Sequence, residues 1–190
     1  MRYLVSDIIS KLVYKLNDYL LKIYWLIRIG SLGNGSFIRS KTRILGNPKR
    51  IKIGHHFKIY ENCIIAIGKG EILIGNDGLL GVGTYINCGN ETLIIGDGVA
   101  IAPFCRIFTF SHHYASDEMT INTYKKGDVI IKDNVLIGAN TIILPGVTIG
   151  KDSIIAAGSI VNNDIPPGTI YGGVPAKFIK MRNYESSDCM

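Results

Sequence analysis

Residues 131–165 read IKDNVLIGANTIILPGVTIGKDSIIAAGSIVNNDI, and this stretch decides the fold. Ile131, Ile137, Ile143, Ile149, Ile155 and Val161 stand six residues apart, and all are aliphatic. Four positions after each comes Val135, Thr141, Val147, Ser153, Ser159 or Ile165, a small or β-branched residue. A helix of 3.6 residues per turn cannot hold such a spacing on one face. The pattern predicts a coil with flat faces and tight corners. Each six-residue step supplies one short strand, a large aliphatic fills the axis, and a small residue fills the space beside it. Successive coils stack in parallel over one core, with glycine and asparagine accepting positive φ at the corners.

The same signature appears upstream. Ile53 and Ile59, then Ile74, Leu80 and Ile86, then Ile95, Ile101 and Ile107 keep the step, so the winding runs from about Ile53 to Ile170. The register slips near residues 65–72 and 90–93, which reads as loops at corners. Cys63 and Cys105 fall in the small slot, which marks them as packing residues rather than nucleophiles. A larger break follows Ile107. The pattern stops at about Ser111 and resumes near Val129, and the segment between, HHYASDEMTINTYKKGD (112–128), is polar, aromatic and charged. It reads as a loop thrown out from the coil, the usual place for chemistry on a rigid scaffold. His112 and His113 stand at its root.

Residues 3–28 read as one amphipathic helix. Val5, Ile9, Leu12, Leu16, Leu20, Ile23 and Ile27 share a face, and Asp7, Lys11, Lys15, Asp18 and Lys22 fall opposite. Gly30 and Gly33 stop it. Two readings stay open: the apolar face packs on the β-helix end or a neighbouring subunit, or it lies on a membrane surface. The organisation is then an arm over 1–33, a β-helix domain over 34–182 and a polar tail over 183–190.

Composition narrows the function classes. Nearly half the residues are apolar, and the net charge is +6. That charge favours an anionic partner: nucleic acid, anionic lipid or a phosphorylated small molecule. The basic residues are spread along the chain, which weakens the nucleic-acid reading. The four cysteines, Cys63, Cys88, Cys105 and Cys189, form no C-x-x-C pair and no zinc spacing, so free thiols in a reducing compartment are expected. No cleavable signal and no membrane-length apolar run is visible, which makes the cytoplasm the default.

The run IGANTIILPGVTIGKDSIIAAGSIVNNDIPPGTIYGGVPAKFIK resembles the C-terminal half of the hexapeptide-repeat acyltransferases. The resemblance covers about residues 50–182 and is most specific in LPGVTIG (144–150), AGSIV (157–161) and GGVPAK (172–177). It is closest to the branch of galactoside, maltose and xenobiotic acetyltransferases and glycan O-acetyltransferases. The resemblance implies a left-handed parallel β-helix, a homotrimer and acetyl-CoA bound in a groove between subunits, with no metal. It implies a histidine base that takes a proton from the acceptor hydroxyl, which attacks the thioester directly.

Carried onto this chain, the family's catalytic histidine matches His112 in IFTFSH, and its acceptor-binding asparagine matches Asn87 in the run Tyr85-Ile86-Asn87. His113 is a further candidate to contact acceptor or CoA. Pantetheine and thioester contacts match Gly138, Ala139, Ala157 and Gly158, and the CoA phosphates match Lys177 and Lys180. There are departures. Leu136 replaces a tryptophan common before IGA. Asn162-Asn163 replaces a Thr-Lys pair near the nucleotide, which leaves Asn162 as an uncharged candidate contact. The segment after Asn87 is short, and an acidic acceptor contact of the galactoside enzymes has no counterpart that aligns. Free galactosides and maltose are therefore poor candidate acceptors.

Histidine suits the base because its ordinary pKa lies near neutrality. His55 and His56 read as solvated turn residues, and Asp133 and Asp152 as structural corners. The leading expectation is an acetyl-CoA-dependent O-acetyltransferase acting on a sugar of a surface polysaccharide or its precursor. An N-acetyltransferase of an amino-sugar nucleotide is the alternative, with xenobiotic and serine acetyltransferases behind it. Zinc carbonic anhydrases of this fold use three histidines including an H-x4-H pair, and only adjacent pairs occur here. A non-catalytic scaffold would need neither a histidine at the loop root nor the GGVPAK tail.

Overall fold

The computed structural model describes residues 16, 19–112 and 123–183. Three parallel sheets form the walls of a prism, and the chain visits them in turn. The first face contains Ser31–Leu32, Ile51–Ile53, Glu71–Ile74, Thr92–Ile95, Val129–Ile131 and Thr148–Ile149. The second runs from Phe37–Ile38 through Lys58–Ile59, Leu79–Leu80, Ala100–Ile101, Leu136–Ile137 and Ile154–Ile155 to Thr169–Gly172, with Lys177–Met181 returning antiparallel at its edge. The third holds Arg43–Gly46, Ile64–Ile67, Tyr85–Cys88, Arg106–Phe108, Ile142–Ile143 and Ile160–Val161. The winding therefore begins at Ser31, upstream of the stretch in which the repeat is legible.

The six-residue columns are the core. Ile131, Ile137, Ile143, Ile149, Ile155 and Val161 are all fully buried, as are Ile59, Leu80, Ile86, Ile101 and Ile107. The small slot has a second job. Thr84 Oγ1 and Cys63 Sγ both donate to the Gly81 carbonyl, at 2.8 and 3.3 Å. Thr141 Oγ1 and Cys105 Sγ share the Gly138 carbonyl at 2.7 and 3.2 Å, and Ser159 Oγ donates to Ala156 O at 2.6 Å. A buried corner carbonyl needs a donor, and a short hydroxyl or thiol supplies one where valine cannot. Burial also pushes the thiols up, to about 11 for Cys63 and for Cys88. Cys105 moves the same way for the same reason. None of the three is a thiolate nucleophile near neutral pH.

The early slips are a structural feature in their own right. Ile53, Ile74 and Ile95 stack 21 residues apart, whereas Ile131 and Ile149 stack 18 apart. The extra residues lie at the corner between the third and first faces. There the third-face strands extend to four residues, and Gly68–Gly70 and Gly89–Glu91 turn the chain. The protruding segment leaves from this same corner, between Phe108 and Val129.

At the N-terminal end, residues 19–28 are helical. The Lys49 ammonium donates to the Ile27 and Ile29 carbonyls at 2.6 and 3.3 Å and so caps the helix C-terminus. Gly30 packs so closely on the Lys49 carbonyl that a Cβ would lie 2.4 Å from it, while Gly33 belongs to the first corner of the coil. The helix docks through Trp25 and Ile29, both buried. Leu16, Leu20, Ile23 and Ile27, on the apolar face for which the sequence left packing and a membrane surface both open, are exposed to between 39 and 68%. Within one chain that face does not pack on the β-helix end. Residues 1–15, 17 and 18 lie outside the described residues.

Candidate functional site

The protruding segment starts and ends as a hairpin. Phe110–His112 pairs antiparallel with Tyr124–Lys126, and His112 sits opposite Tyr124. The two rings lie 4.9 Å apart at 33°, and Phe110 meets Tyr124 edge-on at 6.1 Å. The Lys126 ammonium lies 5.9 Å from the Tyr124 ring centroid. His112 is exposed, at the tip of the described hairpin. His113 lies outside the described residues.

The hairpin neck is tied to the widened corner by side chains. Thr109 is fully buried. Its Oγ1 accepts from Gly89 N–H at 3.0 Å and donates to Glu91 Oε2 at 3.3 Å. The same carboxylate oxygen accepts from Asn90 N–H at 3.0 Å. Asp128 closes the other side by accepting from Thr92 N–H at 2.7 Å. Between hairpin and corner lies a cavity of about 230 Å³ lined by Gly89, Asn90, Glu91, Phe110, Tyr124 and Lys126. Among the described residues it offers one carboxylate, one ammonium and two aromatic rings, a mixed lining suited to a small polar ligand with an apolar face.

Asn87 and Tyr85 lie on the adjoining third face. Both point outward, since Ile86 and Cys88 between and after them are buried. Asn87 stacks between Ala66 and Phe108, and Tyr85 between Ile64 and Arg106, with the Tyr85 and Phe108 rings 5.9 Å apart. Tyr85, Asn87 and the hairpin thus occupy one wall and its edge.

The remaining candidates lie elsewhere. Gly138, Ala139, Ala157 and Gly158 occupy the corner between the second and third faces, on successive coils. Gly138 must be glycine, because a Cβ there would sit 2.4 Å from the Ala157 nitrogen. Gly158 has a φ of +71° and donates to the Ala139 carbonyl at 2.8 Å. The result is a strip without long side chains. Lys177 and Lys180 lie beside its C-terminal end. They are three apart, yet a β-bulge pairs them with Gly172 and Ile170, two apart, so both ammonium groups leave from the same side of the sheet. Asn162 is not on the strip. It follows Ile160–Val161 and stands at the corner between the third and first faces.

Glu91, Thr109, Asp128 and Lys126 were not singled out in the sequence. The available signal was positional: Glu91 ends the three-residue widening that sits one coil below the loop. His55 and His56 lie at an exposed corner, with His56 Nδ1 3.2 Å from Asp77 and His55 Nδ1 accepting from Asn34 N–H at 3.0 Å. Among the described residues no group of three His, Cys, Asp or Glu is placed to hold a metal.

Comparison with solved structures bears on this geometry. A variant of AntD, an N-acyltransferase from Bacillus cereus in complex with dTDP-4-amino-4,6-dideoxyglucose and coenzyme A, superposes with a TM-score of 0.78 at 30% identity, covering 86% of this chain and 89% of AntD. The chain belongs to the hexapeptide-repeat acyltransferases. Its solenoid is the left-handed β-helix of that family. Residues 128–163 match the family described as bacterial transferase hexapeptide (six repeats). A hexapeptide-repeat acetyltransferase from Vibrio cholerae complexed with acetyl coenzyme A gives a TM-score of 0.59 at 29% identity, covering 84% of this chain and 75% of that one. Galactoside O-acetyltransferase of Escherichia coli is 40% identical over 92 residues, 48% of this chain and 45% of that protein. The chain spans less than half the length of the curated relatives it matches. In this chain the widened corner and its Glu91 cavity lie directly beside the His112 hairpin.

Proposed function

We propose that this chain transfers an acetyl group from acetyl-CoA to a hydroxyl of a sugar, within a surface polysaccharide or its precursor. The observation that carries the reading is the hairpin, which stacks His112 on Tyr124 at the rim of the Glu91 cavity. His112 takes the acceptor proton. The acceptor oxygen attacks the thioester carbonyl, the carbon–sulfur bond breaks, and the CoA sulfur leaves as a thiolate that recovers the proton. Asn87 and Tyr85 orient the acceptor, with His113 as a further contact. The Gly138-Ala139 and Ala157-Gly158 strip admits pantetheine against bare backbone, whose N–H groups suit a developing oxyanion. Lys177 and Lys180 attract the CoA phosphates. Leu136 is exposed beside the strip and forms an aliphatic wall.

Direct attack requires base, hydroxyl and thioester within ~3–3.5 Å of one another. In one chain the His112 hairpin and the small-residue strip stand at opposite edges of the third face, about 15 Å apart at ~3.3 Å per residue. A site completed by a neighbouring copy resolves that separation, in line with a cytoplasmic homotrimer. A second reading, N-acylation of an amino-sugar nucleotide, is favoured by the likeness to AntD along most of the chain. The Glu91 carboxylate would then attract the acceptor ammonium.

Thiol release from acetyl-CoA, measured with glycan hydroxyl acceptors and with amino-sugar nucleotides, tests both. Glycan-dependent release that falls by roughly 10²–10⁴-fold in His112→Ala, with CoA affinity retained, supports the hydroxyl reading. Release with amino-sugar nucleotides alone moves the assignment to the second reading, and failure to bind CoA sinks both.

A further inference from the structure

In a solenoid, position along the chain is position along the axis. Charge blocks in the sequence are therefore charge blocks in space. Residues 19–60 contain nine Lys or Arg and no Asp or Glu, whereas residues 61–190 contain nine basic and thirteen acidic residues. The even spread of basic residues along the sequence is a spread of cations only. No acidic residue stands between Asp18 and Glu61, so the described helix, the first coil and the start of the second carry basic residues alone, and the helix end of the prism is strongly positive while the body is not.

The same end exposes the apolar outer face of the helix. At 100° per residue, Leu16, Tyr19, Leu20, Ile23, Leu26 and Ile27 fall within one sector, and all are exposed. Trp25 and Ile29 point the other way, into the solenoid end. Lys22 and Arg28 stand on the two flanks between these sectors. The Arg28 guanidinium lies 5.1 Å from the Tyr24 ring centroid. A cleft of about 220 Å³ opens between helix and first coil, with Tyr19, Lys22, Phe37 and Arg39 in its wall. The Arg39 guanidinium sits 4.5 Å over the Phe37 ring.

We propose that this end of the molecule docks on an anionic phospholipid surface, the outer helix face entering the acyl boundary and the basic first coils resting on the headgroups. An apolar sector flanked by cations, with tyrosines at its margin, is the pattern of a helix lying in a bilayer interface. No described helix is long and apolar enough to cross a membrane, so the contact is peripheral. The charge argues against a second copy as the occupant. Two helix ends packed together would oppose two blocks of strong net positive charge, whereas an anionic bilayer complements one. The cleft beside Lys22 and Arg39 has room for a headgroup phosphate. This inference does not depend on the acetyl-transfer reading.

Co-sedimentation of the full chain with vesicles tests it, using phosphatidylcholine alone and phosphatidylcholine mixed with phosphatidylglycerol. Affinity for the anionic vesicles is expected to exceed that for the neutral ones by about tenfold or more, and to fall with added salt. The double variant Ile23→Asp/Ile27→Asp touches only exposed positions and is expected to lose about tenfold or more on anionic vesicles. Lys22→Glu/Arg28→Glu removes the charge without touching the apolar face and should cost a similar factor. The proposal is overturned by equal binding to both vesicles or by none. It is also overturned if Ile23→Asp/Ile27→Asp keeps its vesicle affinity and instead lowers the mass of the particle in solution, since a second copy would then be the occupant. Acetyl transfer to a soluble acceptor should be unchanged in both variants, which separates a failure here from a failure of the proposed chemistry.

Discussion

The coils before the hairpin and the coils after it share an axis but not a perimeter. Up to Ile95 each turn takes 21 residues, and from Ile131 it takes 18 and then, at the last turn, 16. In the later coils nearly every position is committed to a face or a tight corner, and the surface they show at the second-to-third corner is Gly138-Ala139 and Ala157-Gly158. In the earlier coils three additional residues open one corner. That corner holds polar groups that the strict repeat has no room for: Asn90, Glu91, and the Thr109 hydroxyl that joins them to the hairpin neck. The protruding segment leaves where the perimeter changes. An insertion there extends a turn that is already open, and the entropy of a longer loop grows only with the logarithm of its length. The narrow half supplies a plain track, and the wide half supplies the polar cavity beside it.

The contrast is broken most forcefully in the narrow half. Gly138→Val would drive a side chain into the backbone nitrogen of Ala157, 2.4 Å from an ideal Cβ. Backbone cannot rotate away as a side chain can, so a loss of ~3 kcal/mol or more in unfolding free energy is expected by denaturant titration. Gly98→Asn is the control in the wide half. Gly98 has a φ of +65°, its nearest neighbour would be 3.8 Å from a Cβ, and Asp77 and Asn134 adopt the same conformation at equivalent corners. That change should cost no more than ~1 kcal/mol. Equal losses would mean that the Gly138 corner relaxes as readily as the open corner at Gly98.

Glu91 sharpens the division of labour. Glu91→Ala removes the one carboxylate that the described residues bring to the cavity lining and leaves the strip untouched. The acceptor KM is expected to rise by roughly ten- to a hundredfold, in the range of a hydrogen bond to a charged group. The dissociation constant of CoA should not move. A parallel loss of CoA affinity would show that the two halves do not act as separate sites.

What the sequence revealed and what it hid follow from the same geometry. The isoleucine columns were legible because each six-residue step returns to the axis, and no competing period produces that spacing. The place of the hairpin was legible as the longest lapse in the columns. Glu91 was not, because a corner residue obeys no period and a three-residue slip looks like any turn. Its role is visible only once Gly89–Glu91 is seen stacked beneath Thr109. The docking of the helix was hidden for a related reason. Periodicity finds an apolar face but does not say whether anything covers it, and Trp25 and Ile29, which lie off that face, turned out to be the residues that dock. The polar work of the small slot was hidden as well, since Thr84, Thr141 and Ser159 look in sequence like small residues chosen for size.

That slot is the feature on which the wide and narrow halves agree, and its one ionisable member in the second coil gives the finest test. Cys63 is fully buried, donates to the Gly81 carbonyl, and has a pKa pushed up to about 11 by burial against an ordinary value of 9.0. A folded-state pKa above the unfolded one means that the unfolded chain loses the proton first. The stability is therefore whole below pH 9 and drains away as the pH climbs towards 11. Cys63→Thr puts in the residue that fills the same slot at Thr84 and Thr141. Its stability at pH 7 should lie within ~1 kcal/mol of the native value. Between pH 9 and 11 its stability should fall less steeply than the native chain's, by up to ~1.4 kcal/mol per pH unit. Denaturant titrations at a series of pH values compare the two slopes, and the lysines and tyrosines common to both proteins cancel. Identical slopes would mean that the Cys63 thiolate is tolerated in place, and that solvent reaches the axis through the widened coils as it does not through the narrow ones.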